Sequence, residues 1–506
     1  MSVRFLMTAY LAALCLLAAA AYPQIEFIRT MGGADDDMAY SIVQGPNNGF
    51  AVAGATENFG NGGLDATMTT YDSAGVLQWV RTFGGVGNDN AEVIIRTADG
   101  GYAIAGYISS YGAGLADGFV RKFDKAWASQ WAVTIGSAQN DYLYDLIQTS
   151  TGEYVVTGRS EVTGAGERKA FIVKISSTGN LLWARVMGED EEVGQEVVEA
   201  DDGGFVMAGV TSNYGAGLSD LYLTKFNNMG VHQWTKAMGG TNFESAASIV
   251  KCSDGGFALT GSTLSFGPGN GAILYAKFDA AGGYVFSRTI GGVTLDVNYA
   301  IINTSDGGYG LIGHTDEAAD HDLLFIKFDD VWEHDWTRKL DVDGQTWGWS
   351  IIQTTNGWYA AAGHFRASEG EDYDALITRF NSTGLTCSDT SANLPITNWI
   401  LPTVTTVTPT ISSPGISVTD AVIPIATWSP PVSILCRKPF ICADADADWK
   451  INIIDVSFII GYLYKGGVAP VPPESSDVDG SGIINILDVG YLISYLYKGG
   501  PLPICL

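Results

Sequence analysis

Three features of the sequence predict an all-β fold arranged as a closed ring of seven blades. A glycine returns at Gly54, Gly106, Gly158, Gly209, Gly261, Gly313 and Gly363, a spacing of 50–52 residues, and a period of about 50 is what four short strands and their turns consume. The composition agrees: 63 glycines and 11% aromatic residues suit short strands joined by tight turns, because aromatic side chains fit a pleated surface and glycine accepts positive φ. Finally, residues 24–33 (QIEFIRTMGG) match the fourth strands at 78–85 (QWVRTFGG) and 233–240, while the last repeat stops after its third strand near Phe380. The N-terminal strand is therefore expected to complete blade seven, a closure that removes the edges of an open array.

Within a repeat the elements follow in order. In the second, residues 92–97 form the first strand, Asp99-Gly100-Gly101 a hairpin turn, 102–108 the second strand, 109–117 a loop, 118–123 the third strand and 129–135 the fourth, which carries Trp131. The turn recurs as Asp202-Gly203-Gly204, Asp254-Gly255-Gly256 and Asp306-Gly307-Gly308, and as Asn47-Asn48-Gly49; two consecutive positive φ angles are expected there. The fourth-strand ring recurs as Trp79, Trp131, Trp183, Trp234, Phe286 and Trp336, which reads as packing between blades. Over residues 24–386 the pattern resembles bacterial secreted propeller repeats. Asp72-Ser73-Ala74-Gly75 with Trp79 is similar to the tryptophan docking motif of quinoprotein propellers. Both resemblances imply fold and leave function open.

Charge narrows the partners. Fifty-five acids against 27 bases give a net charge of −28, which excludes a nucleic-acid binder, and 46% hydrophobic residues exclude a disordered chain. Acids repeat after the fourth strand (Asp37, Asp89, Asp141, Glu192, Glu244, Asp296) and before the third (Asp65, Asp117, Asp220, Asp322, Asp374). Turn capping is preferred to a cation-binding or basic-ligand face for both sets.

Catalytic signatures are weak. No Gly-x-Ser-x-Gly elbow, HExxH helix or aspartate box occurs. Of the histidines His232, His314, His321, His334 and His364, the pair His314 and His364 occupies equivalent positions in neighbouring blades, with His321 close by. A satisfied structural pair is preferred to a metal or general-base site. In blade seven Thr346 replaces the repeated acid and Trp347, Trp349 and Trp358 crowd the start; core or channel packing is preferred to sugar stacking.

Residues 1–21 combine Arg4, an apolar run and small residues before Tyr22, the pattern of a secretory signal peptide. No later stretch is long and apolar enough to span a bilayer, so an exported chain, secreted or attached to the cell surface, is expected. The propeller is assigned to 22–386. Residues 387–441, rich in Thr, Ser and Pro, read as an extended linker with β-branched content that allows some strand pairing.

The tail, 442–506, carries the specific motif. Asp444, Asp446, Asp448, Asn452 and Asp455 stand at positions 1, 3, 5, 9 and 12 of a calcium loop, and Asp477, Asp479, Ser481, Asn485 and Asp488 repeat the spacing 33 residues on. Alternating oxygen donors closed by a carboxylate suit a hard cation, and Lys450 and Ile483 offer main-chain carbonyls at position 7. Each loop leads into an amphipathic segment, 456–464 and 489–497, ended by Lys-Gly-Gly. The tail resembles a type I dockerin, with paired EF-hand-like loop-helix repeats. That resemblance implies two Ca2+ ions, a cohesin domain of a scaffold protein as partner, and cohesin-facing positions at Ile453, Ile454, Ile486 and Leu487. Trp449 replaces the glycine expected at position 6 of the first loop, which implies weaker calcium binding there.

Five cysteines follow the leader. Cys252 is expected to be a buried thiol. The pseudo-twofold packing that the dockerin resemblance implies brings Cys442 and Cys505 together as a disulfide, with Cys387 and Cys436 bridging the linker ends; Cys436 competes with Cys442 for Cys505. Two functional classes remain: a non-catalytic propeller binding a glycan, peptide or surface ligand, which is the preferred reading, and a dockerin-tethered polysaccharide hydrolase or lyase.

Overall fold

The structure is a computed structural model. It describes residues 27–383 apart from positions 61, 113, 162–166, 189–190, 216, 268–270, 293, 318–319, 341, 343 and 369, together with seven short strands within 389–437, and residues 453–465 and 484–498. The chain divides into two compact units, one spanning Glu26–Cys436 and the other holding the C-terminal helices. Among the described residues no helix is long and apolar enough to cross a membrane.

The larger unit is a seven-bladed antiparallel β-propeller. Blade one is Asp37–Gln44, Phe50–Thr56, Asp65–Tyr71 and Leu77–Phe83, and the pattern repeats around the ring. Blade seven takes its fourth strand from Phe27–Met31, which pairs with Asp374–Phe380 from Phe27↔Arg379 to Met31↔Ala375. The closing strand is thus the one expected from the sequence.

The core lies between successive blades. Phe27, Met31 and Ala362 of blade seven pack with Ile42, Phe50 and Val80 of blade one, so closure buries apolar surface as well as pairing an edge. The fourth-strand rings carry these seams. The Trp183 ring covers Gly230 in the next blade, and its Nε1 donates to the Asn228 carbonyl at 3.0 Å. A Cβ on Gly230 would lie 2.7 Å from that ring, and its φ is +71°, so both space and backbone demand glycine.

The Asp-Gly-Gly turns depart from expectation. Only their middle residue has positive φ, as at Gly100 (79°) and Gly203 (74°). Thr97 O accepts from Gly100 N at 2.8 Å, and Gly101 O accepts from Thr97 N at 2.9 Å. This is a three-residue loop, a type I turn closed by a left-handed glycine. Asp99 Oδ1 ties it by accepting from Gly101 N at 2.9 Å. Among the described residues, two consecutive positive φ angles occur only in the variant turn of blade one, at Asn47 and Asn48.

The region read as a linker also differs. Its strands add a fifth member to every blade, in reverse order around the ring: Asp389–Ser391 on blade six, then Ile396–Thr397, Thr403–Val407, Ile411–Ser412, Ser417–Asp420, Ile425–Trp428, and Val432–Arg437 beside Phe27–Met31. The longest described pairing runs antiparallel from Thr235↔Val407 to Gly239↔Thr403. A four-stranded blade leaves its outer edge unpaired, and this belt covers it.

In the smaller unit, helices α1 (Ile453–Lys465) and α2 (Ile486–Lys498) pack through Val456, Ile459, Val489 and Leu492. Each begins three residues before the expected start, so loop positions 10 to 12 form the first helical turn. The described residues show two short helices, and the loops that would complete an EF-hand-like pair lie outside them.

Candidate functional site

In the tail, the expected calcium ligands Asn485 and Asp488 are brought together. Asn485 Oδ1 accepts from Leu487 N at 2.8 Å, and the buried Asp488 Oδ2 accepts from Asn485 N at 2.7 Å. Asn485, the residue before the helix, thus caps the N–H of the second helical residue, while the third, Asp488, reaches back to the Asn485 N–H. Ile486 and Leu487 between them are exposed. Asp444, Asp446, Asp448, Lys450, Asn452, Asp477, Asp479, Ser481 and Ile483 lie outside the described residues, as do Cys387, Cys442 and Cys505. Asp455, Ile453 and Ile454 are placed in α1, and Cys436 in its strand, by their backbones alone. Cys252 is a buried thiol whose pKa burial raises.

Several of the repeated acids of the propeller cap loops, Asp117 and Asp220 from the second set among them, while Asp322 pairs with Lys339 at 2.9 Å. Asp89 is fully buried and accepts from Gly85 N at 2.9 Å, Ser109 N at 2.8 Å and Ser110 Oγ at 2.9 Å. Glu244 likewise accepts from Gly240 N at 2.7 Å and Thr263 Oγ1 at 2.8 Å.

A cavity of about 540 Å³ occupies the central channel, lined among others by Tyr40, Glu92, Tyr144, Asp145, Glu196, Tyr299 and Trp349. All lie near the middle of first strands, which run along the channel because they are innermost. Each first strand carries a bulge, between Ala39 and Ser41 in blade one and between Ala91 and Val93 in blade two. The extra residue turns into the channel: Tyr40, Glu92, Tyr144, Tyr299 or Trp349.

The residue after the bulge reaches the next blade. Ser41 Oγ accepts from Ile94 N at 3.1 Å, Asp145 Oδ2 from Val197 N at 2.8 Å, Glu196 Oε2 from Ile249 N at 2.6 Å, Ser248 Oγ from Ile301 N at 3.1 Å, and Ser350 Oγ from Ile42 N at 3.3 Å. These contacts latch blade to blade. Carboxylates fill the place of serine in blades three and four, and the sequence reading missed all of them.

Burial sets the proton affinity of the channel acids. Glu92 is pushed up to about 7 by desolvation, and its Oε1 accepts from Asn90 Nδ2 at 3.0 Å. Asp145 and Glu196 are both raised by desolvation, Glu196 further because the charge of Asp145 opposes its ionisation. All three keep partial exposure to the channel.

Beside the cavity, the Tyr299 ring stacks on Trp349 at 4.0 Å and on His314 at 5.6 Å. Trp347 lies 4.8 Å from His321 and under the Arg366 guanidinium. Trp358 holds Arg379 at 5.0 Å instead. The expectation of a satisfied His314–His364 pair is not met: each keeps a buried Nδ1 without a hydrogen-bond partner. Burial lowers the His314 pKa to about 3 and the His364 pKa to about 4.

The family model for the Dockerin type I domain matches residues 442–497. The regulatory protein FlaEY of Caulobacter vibrioides is 31% identical over 127 residues, 22% of this chain and 13% of that protein's length. Among solved structures, polysaccharide lyase Uly1 aligns over 69% of this chain and 91% of its own, at 9% identity and a TM-score of 0.44. Chaetomium thermophilum Sqt1 bound to the N-terminus of ribosomal protein L10 aligns over 70% and 98%, at 9% identity and 0.41. The alpha-L-arabinofuranosidase arb93a of Fusarium graminearum, in complex with an iminosugar inhibitor, aligns over 70% and 97%, at 7% identity and 0.37.

Proposed function

We propose that this chain, a seven-bladed propeller followed by a type I dockerin domain, is an exported carbohydrate-active enzyme tethered through its tail to a cohesin-bearing scaffold. Its working site is the central channel. The observation that carries the reading is the set Glu92, Asp145 and Glu196, whose proton affinities rise toward neutrality in a ring-lined cavity. A carboxyl that keeps its proton near pH 7 can protonate a leaving glycosidic oxygen, while an ionised neighbour activates water or stabilises positive charge on the sugar.

Glu92 is the candidate general acid, because it occupies the channel-facing bulge position and is not a latch. Asp145 is the candidate ionised partner, with Glu196 holding its proton. The Tyr40, Tyr299 and Trp349 rings offer flat apolar faces to a sugar. The net charge of −28 opposes approach of a polyanion, so a neutral polysaccharide and hydrolysis are favoured over a polyuronate and elimination.

The tail fits calcium by its donor set. Asp477, Asp479, Ser481, Asn485, Asp488 and the Ile483 carbonyl would hold one ion, with the corresponding residues from Asp444 to Asp455 holding the second. The bound ions would neutralise the clustered acids, and Asn485 with Asp488 already fixes the start of α2. Ile486 and Leu487, with Ile453 and Ile454, would meet the cohesin.

A second reading, non-catalytic glycan or peptide binding, has the latch in its favour, since Asp145 and Glu196 do there what serine does elsewhere. Incubating the full chain with neutral and acidic polysaccharides separates the two. Release of reducing ends from a neutral polymer, reduced about 100-fold or more by Glu92→Gln, supports hydrolysis. Retention on a polymer without product supports binding.

A further inference from the structure

The seven blades provide an internal comparison for the end of the hairpin between second and third strands. Aligned by strand register, the places of His314, Asp316 and His321 are held by Ala55, Glu57 and Leu64 in blade one, by Tyr107, Ser109 and Ala116 in blade two, and by Ser262, Leu264 and Gly271 in blade five. In blade six all three places carry metal-ligating side chains.

The backbone there is built to gather them. Its two strands, Tyr309–Glu317 and Asp320–Phe328, run nine residues each and set Asp316 directly opposite His321. His314 stands two residues before Asp316 and so shares its face of the sheet. The ligand atoms of the three residues all lie within 4.8 Å of one another. His321 Nδ1 contacts Asp316 Oδ1, and His314 Nε2 lies 3.5 Å from the same oxygen, long for a hydrogen bond. His314 is 5% exposed, and its Nδ1 has no hydrogen-bond partner.

We propose that His314, Asp316 and His321 form a divalent transition-metal site beside the channel. Two imidazole nitrogens and one carboxylate are a donor set for zinc rather than for calcium, which takes oxygen alone. Structural zinc sites close with four protein ligands, whereas three leave a position for water or a substrate oxygen. The Tyr299 ring, stacked on His314 and lining the cavity, places the site beside the channel. The site does not require the channel carboxylates to act as acid and base.

Cobalt tests it through its visible absorption. The full chain is kept in excess calcium, so that the tail loops do not compete, and titrated with Co2+ and then Zn2+. The expected result is one Co2+ per chain with a ligand-field band, displaced by one equivalent of Zn2+, and a rise in Tm on adding zinc. Asp316→Asn and His321→Gln, both at partly exposed positions, should each weaken binding on the order of 100-fold and abolish the rise. Absence of the band at stoichiometric Co2+, or equal binding by wild type and both variants, would overturn the proposal.

Discussion

Ser248 illustrates how much one hydroxyl carries in this ring. It is buried, and its oxygen accepts from the Ile301 N–H on the first strand of the next blade. Ser248→Ala leaves that N–H buried and unpaired, so a loss of about 1–3 kcal/mol is expected, read as a lower urea midpoint at unchanged m. Glu92 makes a pH prediction. Its folded pKa of about 7 lies above the ordinary value of 4.5, so the folded state holds the extra proton and loses that advantage as pH rises through 7. His364, lowered to about 4 from 6.5, acts oppositely below pH 6.5. Above about pH 6.5 the carboxyls therefore dominate: Tm should fall toward pH 8.5, and Glu92→Gln should flatten the fall by on the order of 1 kcal/mol. A Tm that rises across that window would contradict the assignment. The repeated capping acids were legible because Asp recurs beside the same loops. The latch was not, because its place reads Ser41, Val93, Asp145, Glu196, Ser248, Ala300 and Ser350, a mixture unified only by the bulge that precedes it.

Strand order within each blade was legible, since glycine turns and apolar runs repeat seven times. Some strand pairing was legible in the β-branched content of the linker, but a strand on every blade was not, because these strands are two to six residues long and show no sustained alternation. A signal was present: Pro395, Pro402, Pro424 and Pro431 stand immediately before strands that begin at Ile396, Thr403, Ile425 and Val432. Proline is tolerated at such a start because its missing N–H costs no ladder bond there. A chain ending at residue 386 should therefore aggregate or melt lower than one ending at 437, as seven edges lose their cover; equal melting of the two would show that the belt adds nothing to stability. In the tail, Asp488→Ala removes both the acceptor of the Asn485 N–H at the helix start and a proposed calcium ligand. It should cost helix stability even without metal, by about 1 kcal/mol, and more in calcium. Circular dichroism with and without chelator checks this.

For the molecule as a whole, closure by Phe27–Met31 joins the first strand to the last blade and fixes a channel whose first strands all contribute side chains to one cavity. The ring was legible from the repeat count. The candidate site was not, because Glu92, Asp145 and Glu196 are ordinary acids in sequence, and their proton affinities rise only when the surrounding first strands bury them. Acid–base work in the channel therefore turns on whether those carboxyls hold protons near neutrality. Difference infrared spectroscopy of the full chain, following the protonated-carboxyl band against pH, measures this directly. The band should persist to about pH 7, where Glu92 titrates, and lose amplitude there in Glu92→Gln. A band already gone by about pH 5, as for unperturbed carboxyls, would contradict the channel as an acid–base site.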